Sequence, residues 1–257
     1  MNVYFDNNIL VDIEEGVIQL ERLLSRADVN YYFSEVHMDE LINGLNIHPE
    51  LKATRLGTLE RLCGTNYIAP DVGPFKGGIE IDTPQRVFEL SMQYKQMHDQ
   101  LYRMANSMTI DRDGFLESLQ FEKLEMGNYK PSIILNVLDE RLKEYWGYGI
   151  DAYLQKSIAT TGRTVYYSLF NLMDFVCYWH DKNNAARLYD SSHAYFAHYC
   201  DALVSNDKRM RVKTEAVYSY LGVQTKVYTR EEFLREELEK YNGVFGVKGD
   251  GHDDEGA

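Results

Sequence analysis

Short apolar runs alternate with amphipathic stretches in the first third of the chain. Val3-Tyr4-Phe5 has the pattern of a buried strand, broken at Asp6-Asn7-Asn8. Ile13, Val17, Leu20 and Leu24 then recur at helical spacing, with Glu14, Glu15, Glu21 and Arg22 on the other side. Tyr31-Tyr32-Phe33 predicts a second strand. Ser34 is placed to cap a helix marked by Met38, Leu41, Ile42 and Leu45. A helix over 51–62 and a strand at Asn66-Tyr67-Ile68 complete the series β-α-β-α-α-β. Such alternation predicts an α/β fold with a central parallel sheet.

After Pro70 the pattern changes. Gly73, Pro74, Gly77 and Gly78 predict a loop, and Thr83-Pro84 opens a long helix through Phe88, Met92, Tyr94, Leu101 and Met104. Helical spacing continues over 115–124, 133–146 and 164–179, which predicts an all-helical insertion over 71–184. A helix over 189–199, a strand at Ala202-Leu203-Val204-Ser205, a helix over 207–220 and a strand at Lys226-Val227-Tyr228 follow. Thr229 and Glu232 form a capping box for a final helix. Residues 1–70 and 185–241 would form one discontinuous domain. The acidic, glycine-rich tail, 242–257, reads as disordered.

Four carboxylates fall at related places in this pattern. Asp6 ends the first strand, Glu40 lies in the helix after the second, Asp190 precedes the Ala202 strand, and Asp207 lies just past it. In open parallel sheets the ligand crevice lies beyond the carboxyl ends of the strands, so all four can converge there. Converging carboxylates repel unless a cation neutralises them. Oxygen ligands suit Mg²⁺ or Mn²⁺, and such a site suits phosphodiester hydrolysis.

Three segments resemble the PIN domain nucleases. Val3-Tyr4-Phe5-Asp6-Asn7-Asn8-Ile9-Leu10 is similar to that family's first strand ending in Asp-x-Ser/Thr/Asn. Phe33-Ser34-Glu35-Val36-His37-Met38-Asp39-Glu40-Leu41 is similar to its strand-Ser-helix segment with a metal-site Glu. Asp190-Ser191-Ser192-His193, followed by Cys200 to Arg209, resembles its Asp-x-x-His helix and the strand ending in Ser/Thr-x-Asp. The resemblance implies a helix-sandwiched parallel sheet and two-metal cleavage, usually of RNA. It implies Asp6, Glu40, Asp190 and Asp207 as the catalytic metal ligands, with Asn8 and Ser205 orienting them. The long gap between Glu40 and Asp190 departs from compact members of the family and leaves the insertion without an assigned role.

Each of these residues also has a plainer reading. Asp6 can be a helix cap, and Glu40 can belong to a solvated acidic face with Glu35 and Asp39. Asp201 precedes its strand and reads as structural. His193 lies three residues after Asp190 on the same helix side, where it can orient that carboxylate, touch substrate or simply pack. A zinc site from Cys177, His180, His193, His198 and Cys200 lacks a standard spacing. Lys208, Arg209, Arg211 and Lys213 form the densest basic cluster; they can bind substrate phosphate or form a solvated helix face. Tyr145, Trp146, Tyr148, Tyr153, Tyr166 and Tyr167 read better as core or partner interface than as a base-stacking platform.

Composition narrows the function. The formal charge of −13 excludes polyanion binding through the bulk field. Three scattered cysteines without a CxxC pair fit a reducing, cytoplasmic setting. No run of about 18 apolar residues predicts a membrane span, and the N-terminus lacks a signal-peptide pattern. The expected activity is a Mg²⁺- or Mn²⁺-dependent endoribonuclease that leaves a 5′-phosphate and a 3′-hydroxyl. The alternatives are a non-catalytic PIN-like interaction module and a structure-selective DNA nuclease. Expected partners are RNA before DNA, an inhibitory or scaffolding protein on the insertion, and a second copy, with no membrane.

Overall fold

The computed structural model describes residues 1–71, 77–107, 109, 111–122, 126–156, 161–180 and 184–239. The tail expected to be disordered lies outside the described residues. Six strands form one sheet: β1 (Asn2–Phe5), β2 (Asn30–Ser34), β3 (Asn66–Ala69), β4 (Gly78–Ile81), β5 (Ala202–Val204) and β6 (Lys226–Tyr228). Their order is β4-β3-β2-β1-β5-β6. β1 pairs in parallel with β2 (Tyr4 opposite Tyr32) and with β5 (Phe5 opposite Val204). The chain winds outward from β1 through β2 and β3, and later returns to β5 on its other side. The β1/β5 junction is therefore the switch point, where a crevice opens at the strands' carboxyl ends.

Two expectations are corrected here. β4 runs antiparallel to β3, so the sheet is mixed rather than wholly parallel. β4 also lies within 71–184, so the insertion is not all-helical. Its Ile79-Glu80-Ile81 alternation is only three residues long and follows a glycine-rich stretch of sequence. Ile79 and Ile81 are exposed, as an edge strand without a covering layer permits.

The helices are α1 (Asn7–Glu14), α2 (Leu20–Leu24), α3 (Glu35–Gly44), α4 (Leu51–Cys63), α5 (Pro84–Gln93), α6 (Lys95–Ser107), α7 (Arg112–Ser118), α8 (Pro131–Trp146), α9 (Ile150–Lys156), α10 (Gly162–Phe175), α11 (Asn184–Ala197), α12 (Lys208–Leu221) and α13 (Arg230–Phe233). The amphipathic pattern over 13–24 resolves into two helices separated at Gly16, whose φ of 76° suits glycine. The long helix expected after Thr83 likewise breaks at Tyr94 into α5 and α6.

Strand alternation divides the core into two layers. Val3, Phe5, Tyr31, Phe33 and Val204 pack with Ile9, Met38, Leu41, Leu59 and Phe88 on one face. Tyr4, Tyr32, Ile68 and Leu203 pack on the other with Leu138, Phe170, Phe196 and Val217 from α8, α10, α11 and α12. The insertion therefore supplies part of a helical layer rather than a separate body. Asp174 at the end of α10 accepts bonds of 2.6 Å from Arg112 and from the buried Arg187, which ties α7, α10 and α11 together. Asp71, just past β3, accepts the Gly162 N–H at 3.1 Å. A Cβ on Gly162 would lie 2.8 Å from the Tyr195 ring, so this approach requires glycine. Tyr166 is buried, Tyr145, Trp146 and Tyr153 pack against the same core, and Lys156 sits 3.6 Å over the Tyr148 ring. These contacts match the packing role expected for the insertion's aromatics. No helix among the described residues is long and apolar enough to cross a membrane.

Candidate metal centre

Asp6 continues β1 by donating its N–H to the Val204 carbonyl of β5 at 3.0 Å. The chain then turns into α1, and the Asp6 carboxylate caps that helix through the Asn7 N–H at 2.7 Å. The second Asp6 oxygen accepts the Ser205 hydroxyl at 2.7 Å and the Asn8 side-chain amide. Asn8 also bonds Ser205 Oγ, and its carbonyl accepts the Asn206 N–H at 3.0 Å. Asn8 and Ser205, the supports that the family resemblance implies, therefore both donate to the same Asp6 oxygen.

Asp6 Oδ, Glu40 Oε and His193 Nε2 form the one group of three or more candidate ligands among the described residues. Their donor atoms all lie within 4.8 Å of one another. His193 Nε2 stands 3.2 Å from Glu40 and 3.5 Å from Asp6. Asp6 and His193 are buried, while Glu40 is partly open to solvent. Burial alone would pull the His193 pKa down. The Glu40 and Asp6 charges and the Glu40 hydrogen bond outweigh it, leaving the pKa above its ordinary value.

Asp190 and Asp207 stand outside this group. Asp207 is exposed, and its carboxylate caps α12 by accepting the Arg209 and Met210 N–H groups at 2.7 and 3.0 Å. Asp190 is half-buried on α11, three residues before His193, and has its own interactions. Asp201 accepts the Asn2 N–H at 2.7 Å at the opposite end of the sheet, in the structural role expected for it. Cys177, His180, His198 and Cys200 form no ligand group with His193 among the described residues.

Behind His193 lies a buried polar chain that sequence reasoning missed. Tyr4 Oη is 2.9 Å from His193 Nδ1, 2.7 Å from Ser34 Oγ and 3.5 Å from His37 Nδ1. The Ser34 N–H donates to His37 Nδ1 at 3.1 Å, and His37 Nε2 lies 2.8 Å from the Phe5 carbonyl. Burial pushes His37 down to about 3 and Tyr4 well above its ordinary value, so both stay neutral. Tyr4 read only as an apolar strand residue. The one available signal was its spacing: Tyr4 and Asp6 lie two residues apart and share one side of an extended strand.

Of the basic cluster, Arg211 donates at 2.7 Å to the backbone carbonyl of Ser205, whose hydroxyl donates to Asp6. Lys208 sits 4.7 Å over the Trp179 ring, and Arg209 is half-buried at the start of α12. Lys213 departs from the expected phosphate-binding face. It is fully buried over Phe170, because its position on α12 points into the layer shared with α10. Arg163 of α10 pairs with Glu35 and donates to Ser192 Oγ at 3.0 Å.

A cleft of about 200 Å³ adjoins Glu40 and is lined by Asn7, Asn8, Val11, Leu41, Leu51 and Arg55 among others. Arg55 is held there by Glu14 at 2.5 Å and by the Asn7 carbonyl at 2.6 Å, leaving the buried Asn7 Nδ2 without a partner.

The donor set suits a divalent ion. Ligand atoms about 2.1 Å from one cation lie at most about 4.2 Å apart, and His193 Nε2 lies within that span of both carboxylates, at 3.2 and 3.5 Å. The sequence predicted an oxygen-only set, whereas this group pairs two carboxylates with an imidazole. A search against protein-family models, curated proteins and solved structures finds no match.

Proposed function

We propose that the protein is a divalent-cation-dependent phosphodiesterase acting on RNA, with a PIN-like arrangement of its acidic residues. The observation that carries this reading is the convergence of Asp6, Glu40 and His193 at the carboxyl ends of β1 and β2, beside the switch point of the sheet. Asp6, Glu40 and His193 would hold the cation. When bound, it would supply charge for the phosphoryl oxygens and a water acidic enough to serve as nucleophile near neutral pH.

The chain's own groups have distinct tasks in this reading. Ser205 and Asn8 fix the Asp6 carboxylate by donating to it, which keeps both oxygens oriented. Lys208 and Arg209 would meet substrate phosphates at the α12 N-terminus, where the helix dipole adds to their charge. Because the net charge of −13 repels a polyanion, affinity would come from this local patch and from the cation. Asp190 and Asp207 stand near enough in sequence to be outer supports, but the chemistry proposed here does not depend on them.

One observation favours a second reading, a non-catalytic module. His193 Nε2 lies 3.5 Å from Asp6 and 3.2 Å from Glu40, and its protonated form would offset part of their charge without a metal.

The deciding experiment incubates wild type, Asp6→Asn and Glu40→Gln with labelled single-stranded RNA or DNA, in Mn²⁺, Mg²⁺ or EDTA. The nuclease reading predicts metal-dependent RNA cleavage that falls at least about 100-fold in either variant. Preferential DNA cleavage would move the substrate assignment to DNA. A folded wild type that cleaves neither strand would favour the module.

A further inference from the structure

We propose that His193 is the nitrogen ligand of the cation held by Asp6 and Glu40, and that Tyr4 is the residue that positions it. This inference rests on the cation reading above and deepens it. It predicts that the site prefers a first-row transition ion such as Mn²⁺ to Mg²⁺.

The argument follows the protons through the buried chain. His37 Nδ1 accepts the Ser34 N–H, so it carries no proton, and His37 Nε2 must be the donor to the Phe5 carbonyl. His37 therefore has no proton to offer Tyr4. The Tyr4 phenol keeps its proton, and its two close neighbours are Ser34 Oγ and His193 Nδ1. For Nε2 to bind a cation, the single proton of neutral His193 must sit on Nδ1. Nδ1–H then donates to Tyr4 Oη, and Tyr4 O–H donates to Ser34 Oγ. Every close contact then has one donor and one acceptor, and the Nε2 lone pair faces Asp6 and Glu40.

The placement is firm. Tyr4 and Ser34 are fully buried, and His37 and His193 are each only 1% exposed. The Tyr4 and His193 rings meet edge-on at 5.7 Å, which holds the plane of the imidazole. β1 thus supplies both the Asp6 carboxylate and the support for the ring that faces it. An outer group that orients a metal-binding imidazole sets its basicity and direction. A site with one imidazole and two carboxylates is softer than an all-oxygen site, and Mg²⁺ gains little from nitrogen ligands.

The test uses full-length protein loaded with Mn²⁺ and read by pulsed electron paramagnetic resonance. Wild type should show nitrogen modulation from one directly bound imidazole, and this should change to the heavy-isotope pattern after ¹⁵N-histidine labelling. His193→Gln should lose the modulation. Tyr4→Phe should keep a cooperative melt but bind Mn²⁺ about 10- to 100-fold more weakly, with altered nitrogen coupling. If Tyr4→Phe lowers only the melting temperature, leaving Mn²⁺ affinity and coupling unchanged, Tyr4 is not the positioning residue. Mn²⁺ bound at Asp6 without nitrogen modulation in wild type would overturn the His193 assignment and leave the carboxylate site standing. No Mn²⁺ binding at all would overturn both. Should His193→Gln fail to fold, the isotope comparison on wild type decides alone.

Discussion

Helix α3 carries acidic residues on two sides, and the two sides are neutralised differently. Glu35 and Asp39, one turn apart, meet cations supplied by the inserted helices: Arg163 of α10 beside Glu35, and His98 of α6 at 2.8 Å from Asp39. Glu40 is turned toward the crevice, where it meets a second carboxylate, Asp6, and the imidazole of His193. A guanidinium stays charged at any working pH and cannot bind a metal. An imidazole can give up a proton and become a ligand. The first side is a fastening that anchors α3 to the inserted helices. The second has the chemistry of a site. Acidic residues adjacent in sequence can thus serve different purposes: Glu35 and Asp39 meet basic groups of the inserted helices, whereas Glu40 meets a second carboxylate together with an imidazole.

That contrast can be broken from either side. The largest effect on stability is expected at the fastening. Arg163→Ala leaves the mostly buried Glu35, already raised by burial, without its partner. It should cost about 1–3 kcal/mol in denaturant unfolding while leaving Mn²⁺ affinity within about 2-fold. A large loss of Mn²⁺ binding there would mean that the two sides act as one unit.

A smaller effect probes the cleft beside Glu40. A Cβ added to Gly44 would meet nothing within 4 Å. Gly44→Leu should therefore place an apolar side chain at the approach to the cleft, with its Cβ in open space. If substrate enters there, KM should rise about 3- to 10-fold, roughly 1 kcal/mol, with kcat and the melt unharmed. An unchanged KM would place the substrate path elsewhere.

The smallest effect is a pH dependence at the fastening. The Asp39 carboxylate raises His98 above its ordinary value, against the opposing effect of burial. A raised folded-state pKa means that the contribution is full below about 6.5 and fades as pH rises through the higher folded value. The melting temperature of wild type should exceed that of His98→Gln most at acidic pH, and the gap should narrow on the alkaline side. A gap that widens with pH would contradict the pairing.

The residues that were legible in the sequence and those that were not differ in kind. Asp6 stood out because a strand that stops at a carboxylate is a local pattern, whereas Asn8 and Ser205 were named only through the family resemblance. The strands β1, β2, β3, β5 and β6 were legible as apolar runs bounded by turn residues. β4 was not, because an exposed edge strand of four residues carries little hydrophobic signal. Asp207 shows the limit of the rule that acidic residues past a strand face the crevice. Its carboxylate bonds the first turn of α12 instead, a local alternative open to any Asp before a helix. His193 was visible only as a neighbour of Asp190 on a helix. Its contacts with Tyr4 and Glu40 span 189 and 153 residues of chain, and no periodicity reports pairing over that distance. The Tyr4-Ser34-His37 chain was hidden for a related reason. A tyrosine in an apolar run reads as core, and its hydroxyl finds a partner only once three elements have packed.

The most direct measurement is a calorimetric titration of the full-length protein with Mn²⁺, wild type beside Glu40→Gln, with melting temperature followed in parallel. The account predicts saturable binding and a rise in melting temperature for wild type, both lost or greatly weakened in Glu40→Gln. A folded wild type that shows neither heat nor stabilisation would contradict it. So would Mn²⁺ binding that Glu40→Gln leaves untouched.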